Sequence, residues 1–130
     1  MPALAVDLGG TKLSLAVFSK QGAILYKQTC LVEKRDGNQV GDLLTGEIQK
    51  ILAVYSDIQS VGIAVPGIYH HKTGTVWAPN IKGWDDYPLL RQLQQALTIP
   101  VTIDSDGPVI FWVNRGRETQ GDAAMPFTWQ

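Results

Sequence analysis

Residues 6–12, VDLGGTK, end an apolar run on an aspartate, turn on two glycines and restart on Thr11 and Lys12. Phosphoryl transfer from a nucleotide needs backbone N–H groups near the phosphates, a place for Mg2+ and a base for the incoming hydroxyl. A Gly9-Gly10 turn brings amides close to a phosphate because no Cβ stands in the way. Thr11 adds a hydroxyl donor and Lys12 a positive charge. Asp7 is placed to hold the metal through its water shell, since Mg2+ dehydrates reluctantly. An ordinary Gly-Gly hairpin with a turn-capping Asp fits this segment, taken alone, about as well. Asp106 is the second candidate. It follows an apolar run and precedes an expected helix, whose N-terminus favours an anion. A carboxylate beside a sugar hydroxyl can take its proton as phosphate is transferred. The plainer alternative is that Asp106 or Ser105 only caps the helix.

The elements that must position these groups follow from apolar periodicity. Residues 3–8 (ALAVDL), 13–19 (LSLAVFS) and 23–32 (AILYKQTCLV) are three runs joined by two short Gly turns, which predicts an antiparallel meander. Asn38 is the expected N-cap of a helix with Val40, Leu43, Leu44, Ile48, Ile51, Leu52 and Tyr55 at spacings of three and four. Gly41 and Gly46 weaken it by roughly 1 kcal/mol each in propensity. Residues 60–65 (SVGIAV) suit a strand covered on both faces. After Pro66-Gly67, some twenty residues read as a long functional loop. Asp85 or Asp86 is the expected cap of a second helix, with Pro88 in its first turn and Leu89, Leu90, Leu93, Ala96 and Leu97 as its stripe. Val101–Ile103 is the fifth expected strand, and a third helix is expected from Pro108 through Trp112. The order predicts an α/β fold with a five-stranded mixed sheet and about three helices. Ligands of such sheets gather at the carboxyl ends of the central strands, where Asp7, Pro66-Gly67 and Asp104/Asp106 all fall.

Composition narrows the classes. At 130 residues with 45% hydrophobic and 18% charged side chains, the chain has the size of one domain and enough apolar content for a core. The net charge of -1 and the lack of a basic cluster argue against nucleic acid. They also argue against a nuclease using Asp7, Asp104 and Asp106 for two metals. The single cysteine, Cys30, allows no intrachain disulfide and fits a reducing compartment. The start, MPALAVDLGG, lacks the features of a signal peptide, and no run approaches the roughly 18 apolar residues of a membrane span. The expectation is a cytoplasmic protein with no membrane partner. His70-His71 has no further ligand set around it in sequence, and Trp77 and Trp84 fit either sugar stacking or loop packing.

Four motifs in order, DLGGTK at 7–12, IAVPG at 63–67, APNIKGW at 78–84 and PVTIDSDG at 100–107, resemble the ROK sugar kinases of the actin-like ATPase superfamily. The resemblance covers nearly the whole chain up to Val113. It implies an RNase H-like (actin-like ATPase) domain and ATP-dependent phosphorylation of a hexose or N-acetylhexosamine, with ATP and Mg2+ as cofactors. Asp7, Gly9, Gly10, Thr11 and Lys12 match the first phosphate motif, and Asp106 matches the catalytic base. Pro66, Gly67, Asn80, Gly83 and Trp84 match loops that border the sugar, and Ser105 stands where the family usually has Asn before the base. Gly107-Pro108 and the bulky Val109, Ile110, Phe111 and Trp112 also depart from the family's small residues.

The family's second domain carries another Gly-rich loop, Glu-x-Gly-His sugar contacts, a Cys-rich zinc site and the adenosine pocket. None of these motifs occurs in residues 1–130, and one cysteine cannot make that zinc site. The expectation is therefore the N-terminal half of such a kinase, inactive alone, with residues 124–130 opening the strand into the missing domain. The alternative is a non-catalytic sugar-binding or dimerisation module. Family repressors carry a DNA-binding module ahead of the kinase fold, and none fits before Asp7. An uncovered domain interface around Phe111, Trp112, Phe127 and Trp129 would favour a homo-oligomer.

Overall fold

Runs of small and apolar residues set the centre of the sheet. The structure, a computed structural model, describes residues 2–32 and 35–105. Strands β1 (Ala3–Leu8), β2 (Lys12–Phe18) and β3 (Ile24–Leu31) form the expected meander. Helix α1 (Asn38–Val54) leads to β4 (Val61–Val65). A hairpin of β5 (Ile68–His70) and β6 (Thr75–Trp77), helix α2 (Leu89–Ala96) and β7 (Val101–Ser105) complete the order. The main sheet is five-stranded, in the order β3-β2-β1-β4-β7. The meander pairs are antiparallel, and β1–β4 and β4–β7 are parallel. This is the mixed sheet that the sequence predicts.

Register divides the sheet into two unlike faces, because directly paired residues share a face and neighbours alternate. One face carries Leu4, Val6, Leu8, Leu13, Leu15, Val17, Val61, Ile63 and Ile103. All belong to the main core, together with Val40, Leu44, Ile48 and Ile51 of α1 and Leu89 and Leu93 of α2. Each large side chain buried there contributes roughly 1.5–3 kcal/mol relative to exposure. The other face is mostly small and polar, with Ala5, Asp7, Ser14, Ala16, Gly62, Ala64 and Asp104, and carries the buried Phe18 at the far end of β2. β4 is buried throughout, as its unbroken VGIAV run requires.

Several local expectations are corrected. The N-cap of α1 is Gly37, at φ 49, and Asn38 is already helical and makes no cap bond. Neither Asp85 nor Asp86 caps α2, which begins after Pro88 without a side-chain cap. The hydrophobic contact of Leu89 and Leu93 with the core holds that short helix instead. The long loop contains the β5–β6 hairpin, pinned by Tyr69 and Val76, which face the core. Gly41 has a tertiary reason: a Cβ there would stand 2.0 Å from the Tyr87 hydroxyl oxygen. Two helices lie among the described residues. The expected third helix, the departures at residues 107–112, the run 124–130 and the surface around Phe111, Trp112, Phe127 and Trp129 lie outside them. No helix among the described residues is long and apolar enough to cross a membrane.

Candidate functional site

The Asp-Gly-Gly-Thr-Lys segment is a tight β1–β2 connection. The Gly9 N–H donates to the Lys12 carbonyl at 2.8 Å. The Thr11 carbonyl accepts from the Val32 N–H at 2.8 Å, which fixes the turn to the end of β3. The Thr11 and Lys12 side chains are exposed. Asp7, half-buried, sits in a rung that runs Ser14–Asp7–Ala64–Asp104 across four strands. Asp7 and Asp104 therefore share the small, polar face, with Cα atoms two strand spacings apart, roughly 10 Å. Lys12 lies on that face too, two residues before Ser14.

A second loop meets the turn. Residues 78–84 close on themselves: the Ala78 N–H donates to the Trp84 carbonyl at 2.8 Å, and inside the loop Ile81 N–H donates to Ala78. Asn80, at its tip, reaches the glycine turn. A Cβ on Gly10 would lie 2.8 Å from Asn80 Nδ2. Trp84 anchors the loop. It is fully buried, stacks on Tyr87 with ring centroids 4.3 Å apart, and donates from Nε1 to the Gly37 carbonyl at 3.0 Å. Its ring is packing, closed to solvent, whereas Trp77 is 42% exposed. Gly83 packs against Gly37, whose Cα would be 3.0 Å from an added Cβ. Gly67, at φ 79, presses on the chain that leaves β6: a Cβ there would be 2.0 Å from the Trp77 carbonyl oxygen. Pro66 and Gly67 thus border the same loop.

The tip of β7 carries polar groups in series. The Ser105 N–H donates to Asp104 Oδ1 at 2.8 Å, and the Ser105 hydroxyl oxygen accepts from the Tyr69 N–H at 3.0 Å. His71 Nε2 stands 4.0 Å from Asp104 Oδ1, an ion pair when the imidazole is protonated. Asp106, the proposed base, is the next residue but one after Asp104 and lies outside the described residues. Among the described residues, no three His, Cys, Asp or Glu side chains cluster as metal ligands. Mg2+ in a nucleotide site needs only one or two carboxylates besides phosphate oxygens. Asp7 beside a turn that a Cβ would obstruct fits a metal-bound polyphosphate.

The structure brings Gly10 and Asn80 together, and Gly67 and the residue-77 backbone. It also ties Ser105 to the hairpin. Neither the Tyr69–Ser105 bond nor the His71–Asp104 approach was visible in sequence, because both depend on where the unforeseen hairpin folds.

The ROK family model matches residues 3–113. The chain belongs to the ROK family. It is 30% identical over 112 residues to a glucokinase of Halalkalibacterium halodurans, covering 82% of this chain and 34% of the relative. It is 30% identical over 101 residues to an N-acetyl-D-glucosamine kinase of Haemophilus influenzae, covering 78% and 33%. Among solved structures, the Streptomyces griseus ROK family glucokinase in complex with glucose and AMPPNP superposes with a TM-score of 0.73 at 27% identity, covering 86% of this chain and 35% of that one. This ROK chain spans about a third of the length of the curated relatives it matches. Its five-stranded mixed sheet is that of the family's actin-like ATPase fold.

Proposed function

We propose that this chain is the N-terminal domain of an ATP-dependent kinase for a hexose or N-acetylhexosamine, using Mg2+. The observation that carries the reading is the contact of Gly10 with Asn80. It sets the turn suited to phosphate directly against the loop that the family resemblance assigns to the sugar. A kinase needs those two sites adjacent, so that the sugar hydroxyl meets the terminal phosphate. The names of the relatives, glucokinase and N-acetyl-D-glucosamine kinase, support the substrate class.

In this reading the backbone amides of Gly9, Gly10 and Thr11 approach the phosphates, and Lys12 adds charge. Asp7 holds the water shell of the metal. A Mg2+ ion held there by Asp7 would supply positive charge to offset that of the phosphates. Asn80, Pro66, Gly67 and Gly83 line or shape the sugar side, with Trp84 holding the loop from beneath. Asp106 accepts the proton of the attacking hydroxyl. Water must be excluded for that step, and closure by a second domain serves this in two-domain kinases. The isolated chain is therefore expected to turn over little or not at all.

A second reading is a sugar-binding module without catalysis. It draws on Ser105, whose hydroxyl oxygen is engaged by Tyr69 and which replaces the family's amide. A coupled ADP-release assay with ATP, Mg2+ and a panel of hexoses and N-acetylhexosamines tests both. Sugar-dependent turnover abolished by Asp106→Asn supports the kinase and refutes inactivity of the isolated chain. Calorimetric sugar binding without turnover, unchanged by Asp106→Asn, favours the module. Neither turnover nor binding of sugar or nucleotide removes both.

A further inference from the structure

Tyr87 touches four parts of the fold at once. Its backbone N–H and carbonyl pair with Val76 of β6, at 3.0 and 2.9 Å. Its ring lies parallel to that of Trp84, the anchor of residues 78–84, with an interplanar angle of 3°. Its hydroxyl donates to Gln92 Oε1 on α2, and Gln92 Nε2 donates to Asp42 Oδ1 on α1 at 3.1 Å. Gly41 of α1 leaves the space for both groups: a Cβ there would run into the Tyr87 hydroxyl oxygen and Gln92 Oε1.

Chemistry fixes the direction of this relay. An ionised carboxylate only accepts, so Asp42 takes an N–H of the Gln92 amide and turns its Oε1 toward Tyr87. The Tyr87 hydroxyl, on a residue only 7% exposed, then has an acceptor placed for it. A buried hydroxyl that loses its partner is costly, so the ring is held where the amide stands. Gly41 points the same way. Glycine is a poor helix residue, and here it makes room for a hydroxyl that phenylalanine would not carry.

We propose that Tyr87 is a positioning residue for the site: the relay Tyr87–Gln92–Asp42 braces the ring on which Trp84 stacks and so holds Asn80 against Gly10. Two hydrogen bonds tie the loop to the start of α1, and both run through Gly37. Trp84 Nε1 donates to its carbonyl at 3.0 Å, and its N–H donates to the Lys82 carbonyl at 2.7 Å. They hold the base of the loop at one point, and the Tyr87 ring supplies a second. The consequence for sugar rests on the reading of residues 78–84 as the sugar loop; the brace itself does not.

Tyr87→Phe keeps the ring and deletes the hydroxyl. In NMR spectra of the 130-residue chain, the Gly10 backbone amide and the Asn80 side-chain amide should shift. Hydrogen exchange at the Ala78 N–H should accelerate about fivefold relative to β1 and β4. Gly41→Ala, which crowds the hydroxyl while suiting a helix better, should give the same pattern. Ile51→Val, which trims the core at the other end of α1, should not. Unmoved Gly10 and Asn80 resonances in Tyr87→Phe overturn the proposal. So does an equal effect of Ile51→Val, which would reduce the relay to general stability. Calorimetry with the panel of hexoses and N-acetylhexosamines separates the brace from the reading it serves. Wild type should bind sugar severalfold more tightly than Tyr87→Phe, and equal binding by the two overturns the proposal. Wild type that binds no sugar, with the shifts at Gly10 and Asn80 as expected, refutes residues 78–84 as a sugar loop and upholds the brace.

Discussion

The Tyr69 N–H donates to the Ser105 hydroxyl oxygen at 3.0 Å, tying β5, the first strand of the small hairpin, to β7 of the main sheet. Ser105→Ala would leave that amide without its partner and cost about 1 kcal/mol. The loss should be local. Hydrogen exchange at Tyr69 is expected to accelerate by about fivefold, with little change in the protection of β1 and β4; unchanged exchange at Tyr69 would mean that the bond does not hold the hairpin.

Gly10 and Gly67 should respond differently to the same substitution. Gly10→Ala meets the amide end of Asn80, a flexible side chain that can move. Stability should fall by less than about 1 kcal/mol, while any sugar or phosphate affinity of the chain should drop severalfold. Gly67→Ala meets backbone at 2.0 Å in a left-handed conformation, and should cost about 3 kcal/mol or more. Denaturant melts of the two variants check the contrast.

Trp84 carries the loop that bears Asn80. Trp84→Ala should cost about 3–5 kcal/mol, the usual range for emptying a large aromatic site. Trp84→Phe keeps a ring over Tyr87 but loses the bond to the Gly37 carbonyl, and about 1–2 kcal/mol is expected. If Trp84→Ala melted like wild type, the loop would not depend on this anchor.

Glu47 gives a pH dependence of known sign. Burial pushes its carboxyl up, but the hydrogen bonds from Lys50 and Gln28, the Lys50 charge and the Cys30 thiol outweigh this and hold it below its ordinary value. Gln28 Nε2 bonds Oε1, and Lys50 Nζ lies 3.0 Å from Oε2. A carboxylate lowered in the folded state adds stability above its unfolded pKa, near 4.3, and loses it as pH falls through the folded value. Wild type should therefore lose more stability than Glu47→Gln as the pH falls from 6 to 3. Parallel urea titrations of both proteins measure the difference.

The central sheet was legible because its strands advertise burial. The runs ALAVDL, KLSLAVF and VGIAV leave little choice of element or of neighbours. The β5–β6 hairpin was hidden because three-residue strands carry only one core-facing side chain each, Tyr69 and Val76, amid polar residues. The caps were misjudged at Asn38 and Asp85/Asp86 because tertiary contacts, of Gly37 with Trp84 and of Leu89 with the core, set where those helices begin. The glycine turn could be picked out from its residue types. Its contact with Asn80 could not, since it joins segments some seventy residues apart.

The order of the strands also bears on how the protein comes to be folded. β1, β2 and β3 pair with immediate neighbours in sequence, whereas β1 must find β4 across the whole of α1, Leu4 meeting Val61. Local hairpins close in microseconds, while distant parallel pairing waits on a large loss of chain entropy. The glycine turn is thus assembled with the first hairpin. The rung that sets Asp7 level with Asp104 forms only when both crossovers are complete. During synthesis, the meander can fold as it emerges, while the polar face it will share with β7 has to wait for that later strand to arrive.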